Sequence, residues 1–78
     1  MKTYEFSLVL KAARVSEQDC DNLYEAGCDD GTVVTRNGVT HIAFDRKARS
    51  LEQAIRSAIA DVKAAGFEVV RVEMGVLV

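Results

Sequence analysis

A chain that contains SLEQAIRSAIADVKAAG (Ser50–Gly66) has to bury one side of a helix. Leu51, Ala54, Ile55, Ala58, Ile59, Val62 and Ala65 recur at three- and four-residue steps, the period of a single apolar stripe. Arg56, Asp61 and Lys63 fall between them. Ser50 and Gln53 form an S-x-x-Q capping box at the start, and Gly66 supplies a left-handed stop. The remaining residues must provide the surface on which this stripe lies.

The other stretches read as strands and one shorter helix. Tyr4–Lys11 alternates, with Tyr4, Phe6, Leu8 and Leu10 on one face and Glu5, Ser7, Val9 and Lys11 on the other. Asn37-Gly38 is a strong two-residue hairpin signal joining Thr32–Arg36 to Val39–Asp45. In the latter, Ile42 and Phe44 take the core side, His41 and Ala43 the opposite one. Phe67–Met74 alternates again, with Val70, Val72 and Met74 assigned to the core. Glu68 shares their parity, so the start of this strand is expected to be bulged or to lie outside the sheet. Between the first two strands Ser16 opens the shorter helix with an S-x-x-D signature, and Gly27 ends it. Cys20, Leu23 and Tyr24 form its apolar side, and Cys28–Gly31 is a turn.

The order is β-α-β-β-α-β. Two right-handed crossovers around a hairpin predict an α+β, ferredoxin-like sandwich, a four-stranded antiparallel sheet with two helices on one face. Residues 1–78 make a single domain of this kind. Its expected core is Phe6, Leu8, Leu10, Leu23, Ile42, Phe44, Leu51, Ile55, Ile59, Val62, Val70 and Val72. A domain this small buries only roughly 60–65% of its unfolded surface, so its stability margin is thin unless it is paired.

Composition excludes several classes. At 49% hydrophobic and 28% charged the chain is neither disordered nor repetitive. The net charge of −2 exerts no global pull toward nucleic acid or anionic lipid. Glu17, Asp19, Asp21, Glu25, Asp29 and Asp30 have no basic residue among them, whereas Arg46, Lys47, Arg49 and Arg56 cluster later against Glu52 alone. These read as two solvated surfaces. No apolar run approaches the ~20 residues of a membrane span, and the N-terminus is not a signal peptide. Two cysteines fit a reduced, cytoplasmic protein without requiring a disulfide.

No constellation of catalytic residues emerges. His41 is the sole histidine, and Ser7, Val9 and Arg71 beside it make no catalytic set. Cys20 and Cys28 lack the close ligand spacing of a zinc site, and Asp29-Asp30-Gly31 lacks the calcium-loop pattern. No metal and no cofactor is therefore expected. Cys20 reads as a core residue; Cys28 reads as more exposed and open to reaction as a thiol, but the adjacent carboxylates would raise its pKa rather than activate it. The chain holds no phosphate-binding or nucleophile-elbow motif. The sheet's open face offers no aromatic row for RNA.

LYEAGCDDGTV (Leu23–Val34) and FDRKARSLEQAIRSAIADVKAAG (Phe44–Gly66) resemble a family of small bacterial domains, largely uncharacterised. That family carries a similar E-A-G-C-D-D segment, an F-D-R-x-A-x-S helix start and an A-I-x-S-A-I-x-D-V helix. Its members often stand ahead of a helix-turn-helix segment. The resemblance implies an accessory role in a regulatory DNA-binding protein and brings no catalytic residues. After Glu73 only MGVLV follows, so either this is a free-standing version or the sequence stops at a domain boundary.

The leading expectation is a non-catalytic interaction domain, not an enzyme, that forms a homo-oligomer, a dimer, and serves a helix-turn-helix protein or segment. It contacts neither membrane nor nucleic acid directly. The expected interaction surface comprises Ser7, Val9, His41, Ala43, Val69 and Arg71 on the open face, with Val76 and Leu77 at the apolar end. A small-molecule sensor of the amino-acid type is the alternative, although the Lys11–Val15 loop lacks the glycines such sensors use. An enzyme completed by a second chain, with His41 and Cys28, is the third.

Overall fold

Alternation along the strands and one stripe per helix assemble as two layers. The computed structural model describes residues 1–11 and 14–74. The elements are β1 (Lys2–Leu10), α1 (Glu17–Ala26), β2 (Gly31–Arg36), β3 (Val39–Ala48), α2 (Leu51–Ala64) and β4 (Val69–Met74). The strands form one antiparallel sheet in the order β2-β3-β1-β4, and the helices pack on one side of it, a ferredoxin-like α+β fold. Among the described residues no helix is long and apolar enough to cross a membrane.

The core lies between sheet and helices. Phe6 opposes Phe44 and Leu8 opposes Ile42 across β1 and β3, with the two phenyl rings stacked at 5.4 Å between centroids. Ala54, Ala58 and Val62 of α2 are fully buried against them, and Leu23 seals α1. Alanines at the centre of the stripe let α2 approach the sheet closely, while Leu51, Ile55 and Ile59 flank it half-buried.

The helix ends follow their sequence signals. Ser16 Oγ accepts from the Asp19 amide while the Asp19 carboxylate accepts from the Ser16 amide, a complete capping box. At α2, Ser50 Oγ accepts from the Gln53 amide, but the Gln53 side chain reaches back to the amide of Arg49, one residue earlier than expected. Both helices close on a glycine with positive φ. Gly66 donates to Lys63 O and Phe67 to Val62 O; Gly27 donates to Tyr24 O and Cys28 to Leu23 O.

Several sequence expectations require correction, beginning with β1, which runs Lys2–Leu10 rather than Tyr4–Lys11. β3 continues past Asp45 to Ala48 because Arg46, Lys47 and Ala48 pair with Tyr4, Thr3 and Lys2. On β4, Leu10 opposes Val69 while Val9 opposes Arg71, so Val70 is the additional residue of a bulge. The bulge resets the parity at the strand's start. Val70, assigned to the core, is 55% exposed, and Val69, assigned to the open face, packs against the core instead. Met74 opposes Phe6 but is half-exposed at the end of an edge strand, where it has a neighbour on one side only. Val76 and Leu77 lie outside the described residues.

Candidate functional site

Two places on the molecule concentrate polar chemistry. The first is Arg46, which strand alternation turns toward the helices, leaving Asp45 and Lys47 on the opposite side. Of the residues expected to form a basic surface, Lys47, Arg49 and Arg56 are exposed, but Arg46 is only 8% exposed. Its Nε donates to Asp30 Oδ2 at 2.8 Å and one Nη2 hydrogen to Asp30 Oδ1 at 2.9 Å. The remaining Nη2 hydrogen goes to Gly27 O at 2.8 Å, and Nη1 serves Ser57 Oγ at 3.0 Å and Asp61 Oδ2 at 2.9 Å. Its guanidinium carbon lies 5.1 Å from the Phe44 ring centroid. A guanidinium carries five N–H donors, and all five are used. It is a clamp joining β3, α2 and the end of α1, with no donor left for an anionic ligand.

The same clamp explains its surroundings. The bidentate bond from Arg46 holds the Asp30 carboxyl below its ordinary pKa, against the opposing effect of burial. Gly27 has φ +121°, and a Cβ there would sit 2.6 Å from Asp61 Oδ2, so glycine is required on both counts. Cys28, expected to be exposed, is 5% exposed and belongs to the core, because the Gly27 turn folds it under α1. Burial first, then Asp61, pushes its thiol up to about 11, with Asp30 and Asp29 adding smaller contributions against Arg46. Cys20, expected in the core, is exposed, and both thiols are free. The first turns of α1 point Leu23 rather than Cys20 at the core.

The second place is the sheet face away from the helices. Register fixes its layout as cross-strand rows. One row runs Val34, His41, Val9 and Arg71; the next runs Thr32, Ala43, Ser7 and Glu73. Arg71 donates from Nε and Nη2 to Glu73 Oε2 at 3.1 and 3.0 Å, and His41 Nδ1 stands 3.8 Å from Glu73 Oε1. Val9, between His41 and Arg71, is 2% exposed although it points away from the helices. Ser7, Val9, His41, Ala43 and Arg71 thus come together as expected from sequence, and Val69 does not. Val34 and Thr32 belong to the same patch; the Asn37-Gly38 turn carries the signal that places them there, since a two-residue hairpin fixes which residues face each other.

Neither place has the donor set of a metal centre. Among the described residues no group of three or more His, Cys, Asp or Glu side chains converges to hold a metal ion. Asp30 gives both carboxylate oxygens to Arg46, and Asp61 gives one, Oδ2. No family model, no curated protein and no solved structure matches the chain.

Proposed function

We propose that the chain is a non-catalytic interaction domain that forms a homodimer through the open face of its sheet. It acts in the cytoplasm as an accessory unit of a bacterial regulatory protein that carries a helix-turn-helix segment. The observation that carries the self-association is that, among the described residues, no helix packs on the sheet's second face, where Val9 is buried only by its neighbours on the sheet. Both helices lie on one face, while the centre of the other holds Val34, Val9, Ala43 and Ser7 with a few charges around them. Sheet faces of this composition pack on a second sheet at ~10 Å separation. The regulatory context rests on the resemblance at Leu23–Val34 and Phe44–Gly66 alone. The buried guanidinium, the group best suited to an amino-acid carboxylate, has no N–H left to donate, which favours the interaction reading over a sensor.

Sedimentation equilibrium tests this directly. The wild-type chain should behave as a dimer, and Ala43→Arg should be a monomer with an unchanged far-ultraviolet circular dichroism spectrum. Ala43 is exposed at the centre of the patch, so an arginine there blocks stacking without entering the core. A wild-type chain that stays monomeric at high protein concentration sinks the proposal.

A further inference from the structure

The order of charges along the open face selects one way of stacking two copies. We infer that the two chains of the homodimer are related by a two-fold axis lying across the strands, between the Val34–Arg71 row and the Thr32–Glu73 row. This arrangement rests on the pairing of open faces proposed above and names its geometry.

The face has a polarity along the strand direction. Above the two central rows lie Arg36, opposite Val39 on β3, and Lys11, one step past the end of β1. Below them lie Asp45 and Glu5, directly opposite each other on β3 and β1. One row from the centre, basic residues therefore stand at one end of the patch and acidic residues at the other; one row further out Lys47 follows Asp45 on β3, and Lys11 Nζ stands 3.8 Å from Glu68 Oε2. All four are exposed.

A two-fold axis across the strands inverts this order in the second copy while keeping each strand above its own equivalent. His41 then faces Ala43 of the second copy, Val9 faces Ser7, and Arg71 faces Glu73. Lys11 meets Glu5, and Asp45 sits between Arg36 and Lys11. Lys11, Glu5, Arg71 and Glu73 then oppose their opposites, His41 opposes a small side chain, and Asp45 lies over Val39 with Arg36 and Lys11 on either side. The other in-plane two-fold axis, along the strands, keeps the row order and crosses β3 over β1. It sets Asp45 against Glu5 twice over, and like charges juxtaposed across an interface are strongly disfavoured. The broad face of a molecule measuring 32 × 29 × 17 Å matches the roughly 800 Å² per partner that a stable interface covers.

Reversing one charge at a time distinguishes the two axes. Glu5→Lys and Lys11→Glu should each fold normally, since both side chains are exposed, and circular dichroism checks this. In sedimentation equilibrium of the full chain at low ionic strength, each variant alone should dimerise about ten-fold more weakly than wild type, because two symmetric pairs become repulsive. An equimolar mixture should recover nearly wild-type affinity, since each variant then supplies the complement the other lost. Tighter association of Glu5→Lys alone would mean that Glu5 faces Asp45; this overturns the arrangement and leaves open-face pairing intact. Unchanged association of both variants, with wild type dimeric, also overturns it. A monomeric wild type overturns the reading on which it rests.

Discussion

Arg46 is the residue on which the two layers depend most. Removing one member of a buried, fully hydrogen-bonded ion cluster leaves the others uncompensated, at a cost of about 3–5 kcal/mol. A 78-residue domain has a total stability of roughly 4–12 kcal/mol. Arg46→Ala should therefore lose a large share of its urea resistance, whereas Arg56→Ala, an exposed i,i+4 partner of Glu52, should lose less than about 1 kcal/mol. The clamp also has a pH signature. The Asp30 pKa is depressed in the folded chain, so its contribution is complete above the unfolded value near ~3.9 and is lost as pH falls through the folded value. The destabilisation caused by Asp30→Asn, measured by urea titration, should shrink toward zero on acidification below about pH 4. Cys28 works in the other sense. Its raised pKa makes the folded chain retain a proton that the unfolded chain releases near ~8.5. Stability should fall as pH rises from there toward 11, and Cys28→Ala should remove that slope. An aromatic disulfide reagent at about pH 8 should label Cys20 promptly and Cys28 only on unfolding.

At the scale of elements, the two helix-ending glycines separate strain from crowding. Gly66 has φ +96°, and a methyl group added there would have no neighbour within 4 Å, so Gly66→Ala should cost only the left-handed penalty, about 1 kcal/mol. Gly27→Ala adds a clash with Asp61 and displaces an Arg46 partner, and thermal melts should rank it well below Gly66→Ala. Both glycines, both serine caps and the hairpin at Asn37-Gly38 are legible in sequence because each acts within a few residues of itself. The β4 bulge shows in the sequence only as a parity break at Glu68; which valine it expels depends on pairing with Leu10, a partner from the far end of the chain. Arg46 escapes a reading by composition for a related reason. A run of charges looks like surface, but the alternation of Ile42 and Phe44 extends one step further and turns Arg46 inward. Cys20 and Cys28 occupy each other's expected environments because the turn at Gly27, rather than helical periodicity, decides which thiol is covered. The open face is legible wherever strand parity alone defines it, at Ser7, Val9, His41, Ala43 and Arg71.

Among the described residues, a thin core stands beside a broad sheet face on which no helix packs. The buried apolar side chains other than Val9 lie between the helices and the sheet, and α2 supplies alanines where larger residues would add buried area. A second copy on the open face would extend the core by one layer and couple folding to association. Anything that binds only the folded chain raises the apparent stability by mass action, and for a dimer the binder is the chain itself. The melting temperature of the wild-type chain should therefore climb with protein concentration, by roughly 3–6 °C for each tenfold increase above the dissociation constant. Ala43→Arg should melt at one temperature whatever its concentration, and at the same temperature as wild type extrapolated to high dilution. Differential scanning calorimetry over a roughly hundredfold concentration range reads both. A wild-type melting temperature that stays flat would mean the open face contributes nothing to stability, and the layer that covers it would have to be sought elsewhere than in a second copy.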